Sequence, residues 1–90
     1  MTKTIIYTRG DDLKDTQKQR ETLIEFAKSK KFEIVGYFSD NDKQKKSLKN
    51  AFSLLDTLEK GQILVTQTDK ITIDTKELAE LKNKYKFITP

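Results

Sequence analysis

The chain is 90 residues long, with 18 basic and 14 acidic side chains and a net charge of +4. That length makes one domain, residues 1–90, and it lacks both cysteine and histidine, which excludes disulfides, thiolate zinc sites and the commonest general base. No apolar run approaches the roughly 20 residues of a membrane span and no secretory h-region opens the chain, so the reading is a cytoplasmic protein whose mild basicity permits nucleic-acid contact without demanding it.

Residues 3–8 (Lys-Thr-Ile-Ile-Tyr-Thr) are β-branched and aromatic, and predict a buried strand ended by Gly10 and two aspartates. Thr16-x-x-Gln19 has the form of a capping box, with Asp15 as the alternative cap. Leu23, Ile24, Phe26 and Ala27 then give a helical stripe running to about Lys30. Residues 32–39 predict a second strand, and the lysine-rich stretch 40–46 a loop. Ser47 is placed to cap a second helix with Leu48, Ala51, Phe52, Leu55 and Leu58 on its apolar face and Gly61 as its C′ residue. Residues 62–66 hold Ile63-Leu64-Val65, a third buried strand, and 67–73 read as loop. Asp74 or Thr75 caps a third helix with Leu78, Leu81 and Tyr85 on one face, and residues 86–89 close the chain as a short fourth strand.

Strands alternating with helices in this order imply an α/β fold. The expectation is three layers, α/β/α, around a mostly parallel four-stranded sheet with right-handed crossovers. Open sheets of this kind bind ligands at the carboxyl ends of their strands. Those ends carry Arg9, Asp11 and Asp12, then Ser39 and Asp40, then residues 66–70. Arg9 beside a buried strand suits either an anion or an ion pair with Asp11 or Asp69. Asp12 and Asp15 equally suit helix capping. The lysines Lys43, Lys45, Lys46 and Lys49 form either a solvated face or a sequence-blind phosphate contact. No P-loop and no GxGxxG is present.

Several segments together resemble the catalytic domain of serine recombinases, the resolvase/invertase family. They are Tyr7-Thr8-Arg9, the run from Gln19-Arg20 through Leu23 to Ala27, Lys49-Asn50-Ala51-Phe52, Gly61-Gln62-Ile63-Leu64-Val65, and Asp69-Lys70 with Asp74-Thr75. The match keeps the family's order over nearly the whole chain and implies its resolvase-like sheet, in flavodoxin-like order. It also implies a site made from Arg9, Asp11, Lys49, Asp69 and Lys70. There the departures outweigh the matches. The family's nucleophilic serine falls on Asp11, or on Gly10 if the loop is one residue shorter. Lys49 and Lys70 stand where arginines are expected, and Ile73 replaces another. A planar guanidinium clamp on a phosphate is not reproduced by ammonium groups, and a lost oxyanion donor alone costs about 2.7–4 kcal/mol in the transition state. Family members continue into a long dimer-building helix and a helix-turn-helix domain, and neither is expected here.

The resemblance thus implies a degenerate resolvase-like domain with no cofactor. Its expected partners are DNA, held weakly and without sequence preference, or a recombinase-like protein, and its expected state is a monomer or weak dimer. Its setting would be DNA recombination or a mobile element. Arg9, Lys43, Lys45, Lys46, Lys49 and Lys70 are the phosphate candidates. An alternative reading places Mg²⁺ among Asp11, Asp12 and Asp69, as in receiver domains, because hard cations favour carboxylate oxygens.

Overall fold

The computed structural model describes residues 2–10, 12–41, 46–68 and 74–90. The elements run β1 (Lys3–Arg9), α1 (Leu13–Ser29), β2 (Glu33–Asp40), α2 (Lys46–Thr57), β3 (Gln62–Leu64), α3 (Thr75–Lys84) and β4 (Phe87–Ile88). All strand pairings are parallel, in the spatial order β2-β1-β3-β4. β1 is central, and its residues from Thr4 to Thr8 are all buried. Its alternation splits the core in two. Ile5 and Tyr7 pack with Ile63, Val65 and the α2 residues Leu48, Ala51 and Leu55, while Ile6 packs with Leu64 and the α1 residues Leu23 and Ala27. The expected three-layer arrangement is therefore present, with α2 and α3 on one face and α1 on the other. α3 joins its face through Leu78, Leu81 and Tyr85, and the Tyr85 ring stacks on Phe52 at 4.5 Å.

The β2 strand carries a bulge. Thr4 pairs with Ile34 but Ile5 pairs with Gly36, so Val35 is the extra residue. The insertion resets the alternation: Ile34 packs with the α1 cluster, whereas Val35 and Phe38 pack with the α2 cluster. Gly36 lets the strand approach α2, since a β-carbon there would sit 3.2 Å from a Leu54 methyl.

Helix boundaries depart from the sequence expectation for physical reasons. The N-cap of α1 is Asp12, whose carboxylate accepts the Asp15 N–H at 2.8 Å. Thr16 and Gln19 form no capping box, because the helix has already begun at Leu13 and Thr16 lies in its first turn. At the other end Lys31 N–H donates to the Lys28 carbonyl and Phe32 N–H to the Ala27 carbonyl. That is a Schellman closure, with a lysine at the left-handed position (φ 59°) where glycine is usual. After α2 the left-handed residue is Lys60 (φ 80°), not Gly61. Gly61 is demanded by crowding instead, its absent β-carbon facing Leu55 and Leu58 methyls at 2.9 Å. A non-glycine residue in that conformation costs on the order of 1 kcal/mol.

Ser47 does not cap α2 either. The helix begins at Lys46, and its orphan amides at Ser47 and Leu48 donate to the Asp40 carboxylate at 3.0 and 2.9 Å. The same carboxylate accepts the Tyr7 phenol at 2.9 Å. One buried side chain at the end of β2 thereby ties β1 to the start of α2. Asp74 caps α3 as expected, accepting from the Lys76 and Glu77 amides.

Two outcomes follow for stability. Replacing Asp40 by Ala strands a phenol and two helix amides, and should lower the unfolding free energy in urea by about 3 kcal/mol, with Asp40→Asn losing less because its amide oxygen still accepts. Burial first, then the hydrogen bond to Asp40 and its charge, push the Tyr7 phenol well above its ordinary value near 10, with Arg9 acting weakly the other way. Below pH ~10 the phenol is protonated in both states and its contribution is complete. Above ~10 the unfolded chain ionises while the folded one resists, so stability falls with rising pH. Tyr7→Phe should flatten that fall in a pH series of thermal melts.

Candidate functional site

The carboxyl ends of β1 and β2 and the first turns of α1 and α2 surround an open cleft of about 440 Å³. Gly10, Ser39, Asp40, Asn41, Lys46 and Ser47 form much of its wall, and Leu13, 73% exposed, stands on its lip. The parallel ladder reaches this rim: Arg9 is in register with Asp40, and Gly10 N–H donates to the Asp40 carbonyl at 3.3 Å. Beside it Thr8 Oγ1 and Ser39 Oγ share a hydrogen bond of 2.6 Å.

The turn from β1 into α1 is held by Gln19, a buried helix residue. Its amide nitrogen donates to the Arg9 carbonyl at 2.8 Å and to an Asp15 carboxylate oxygen at 3.1 Å, while its amide oxygen accepts the Arg9 N–H at 3.2 Å. A side-chain amide thus completes the backbone pairing of the last β1 residue as a neighbouring strand would. Gly10 makes room for this bracing, since a β-carbon there would displace the Asp15 carboxylate. Arg9 is half-buried, and its charge is close enough to bear on the Tyr7 phenol.

Of the residues the sequence singled out, Asp12 and the exposed Lys46, which opens α2, line this cleft, whereas Arg9 closes β1 next to Gly10 without lining it. Lys49 is exposed one turn further along α2 and does not line the cleft. Asp11, Lys43, Lys45, Asp69, Lys70 and Ile73 lie outside the described residues. Asp12 caps α1, with one carboxylate oxygen accepting the Asp15 N–H. Among the described residues no three Asp or Glu side chains gather to hold a metal ion, and no helix is long and apolar enough to cross a membrane.

Two organising residues escaped sequence reading. Gln19 was hidden by the motif it mimics, since Thr16-x-x-Gln19 fits a capping box. Asp40 is placed at the rim by the strand pattern, which says nothing of its three hydrogen bonds. The available signal was an aspartate closing a strand seven residues before amides in need of an acceptor.

No protein-family model matches the chain, and no curated protein sequence matches it significantly. Solved structures do. The C-terminal catalytic domain of ISC1926 TnpA, an IS607-like serine recombinase, superposes with a TM-score of 0.82 at 23% identity, over 97% of this chain and 68% of that one. The N-terminal catalytic domain of TP901-1 integrase superposes with a TM-score of 0.82 at 18% identity, over 98% of this chain and 76% of that one. At such identities the likeness speaks for architecture, and what it establishes is that this chain has the fold of a serine-recombinase catalytic domain.

Proposed function

We propose that the chain is a resolvase-like binding domain of DNA-recombination or mobile-element machinery, one that engages backbone phosphate or a recombinase partner without cutting DNA. One position carries the reading. Two residues beyond Arg9 in the sequence stands Asp11, where the resemblance puts the nucleophilic serine, or Gly10 if the loop is one residue shorter. A carboxylate is a poor nucleophile toward a phosphodiester, and its charge opposes approach of the backbone. Lysines at 49 and 70 and isoleucine at 73 further weaken any clamp on a scissile phosphate. A cysteine-free chain suits a reducing, cytoplasmic setting.

The phosphate-binding side of the proposal draws on Arg9 at the end of β1 and on Lys46 and Lys49 exposed in the first turns of α2. Lys43, Lys45 and Lys70 belong to the same proposal by sequence. Such contacts are sequence-blind, and affinity should fall in the ordinary non-specific range of about 10⁻⁴ to 10⁻⁶ M at physiological salt. A monomer or weak dimer would suffice for either role.

Incubation with supercoiled plasmid and with nicked duplex should give no covalent protein–DNA species on denaturing gels. A covalent adduct through any side chain would overturn the non-cleaving reading. Titrated into a reaction run by an active serine recombinase of the same fold, the chain should change the yield of recombinant product. Unchanged yield, with no DNA binding by fluorescence anisotropy, would remove both proposed roles.

A further inference from the structure

The opposite edge of the sheet, away from the rim, carries a different feature. Lysines lie beside the amino-terminal end of every strand: Lys30 and Lys31 before β2, Lys3 opening β1, Lys60 before β3, and Lys84 and Lys86 before β4. The sheet order β2-β1-β3-β4 turns these sequence-distant residues into one row. Three inter-strand spacings make it about 15 Å wide. Register keeps the row level, with Lys3 opposite Glu33, Thr4 opposite Gln62 and Ile63 opposite Phe87.

Two adjoining clefts open along this row. The larger, about 670 Å³, is bordered by Lys60, Lys84, Lys86, Tyr85 and Asp56. The smaller, about 420 Å³, is bordered by Lys3, Lys60 and Glu59. Thr2, Lys60 and Gly61 are common to both, so the clefts form a continuous groove. Its lysines outnumber its two carboxylates. Lys84 is partly fixed there, with its ammonium 5.2 Å from the centre of the Tyr85 ring, a ring that itself stacks on Phe52.

Backbone conformation adds an independent observation. Among the described residues, the non-glycine positions with positive φ are Lys31 and Lys60. Both are lysines and both belong to this edge. Each occupies a left-handed position where glycine would be less strained. Of the two, Lys60 borders both clefts, and a strained residue at a cleft motivates a functional reading.

We propose that this edge is a second polyanion-binding surface, fitted to the phosphodiester backbone of a nucleic-acid duplex and separate from the Arg9 rim. A duplex offers one phosphate per about 1.7 Å of axis, ample charge across a row of this width. Ammonium groups without planar forks bind such a backbone as point charges, with no sequence preference. A lipid surface is disfavoured because, among the described residues, the exposed large apolar side chains, Leu13 and Tyr37, both lie elsewhere, and interfacial binding needs apolar insertion beside the charge. The inference does not depend on the rim being inactive.

The test uses a 16-base-pair duplex of arbitrary sequence and the whole chain. Replacing Lys3, Lys60, Lys84 and Lys86 by Gln should weaken binding at least tenfold at low salt, and reduce the slope of log K against log salt by about 3 to 4. Circular dichroism should remain that of the parent. Arg9→Gln with Lys46→Gln and Lys49→Gln should leave this component in place. Lys60→Gly should raise the melting temperature by a few degrees while weakening binding about twofold. Amide shifts on titration should include Lys3, Lys60 and Lys86. The proposal is overturned if the quadruple variant binds with unchanged affinity and slope, if shifts are confined to the Arg9 rim, or if anionic phosphatidylserine vesicles bind more tightly than the duplex.

Discussion

The arrangement of this small domain depends on the carboxylate of Asp40. It is 9% exposed and accepts three hydrogen bonds, from the Tyr7 phenol of the central strand and from the two amides that open α2. A helix start and a buried strand each bring donors that must be satisfied away from water. Placing one acceptor between them settles both needs and fixes α2 against β1. The rim cleft inherits its shape from that junction, because Asp40 and Ser47 are also part of its wall. The fold and the candidate site are therefore held by the same atoms.

The opposite side of β1 is fixed by a second polar junction. Gln19 reaches from α1 to pair with both backbone groups of Arg9, and Asp15 braces it. The backbone of Arg9 is thereby fixed at the end of β1, and the residue is half-buried there. With Asp40 on one face and Gln19 on the other, the last turn of the central strand has little freedom.

Charge is distributed over both ends of the sheet. Arg9, Lys46 and Lys49 stand toward the carboxyl end, and Lys3, Lys60, Lys84 and Lys86 at the amino end. The net charge of +4 gives no hint of this division. The two positions with positive φ, Lys31 and Lys60, belong to the amino end.

The sequence alone determined the order of elements, the two apolar faces, the parallel α/β class and the aspartate at position 11. Each is written in local composition: β-branched runs bury on both faces, and apolar residues at helical spacing choose one side. The α3 cap at Asp74 was legible for the same reason, since its acceptor and its donors are near neighbours in the chain. Tertiary structure decided what local pattern cannot encode. The bulge at Val35 changes which face later residues occupy, and only the pairing partner reveals it. Asp40 replaces Ser47 as the acceptor for α2 because a strand end seven residues away is brought against the helix start. Gln19 abandons a capping box because Asp12 begins the helix earlier and the Arg9 backbone needs a partner. The row of lysines exists only because the sheet order β2-β1-β3-β4 sets four distant strand starts side by side. Local sequence specifies propensity and periodicity, whereas hydrogen-bond partners and shared edges follow from which segments end up adjacent in space.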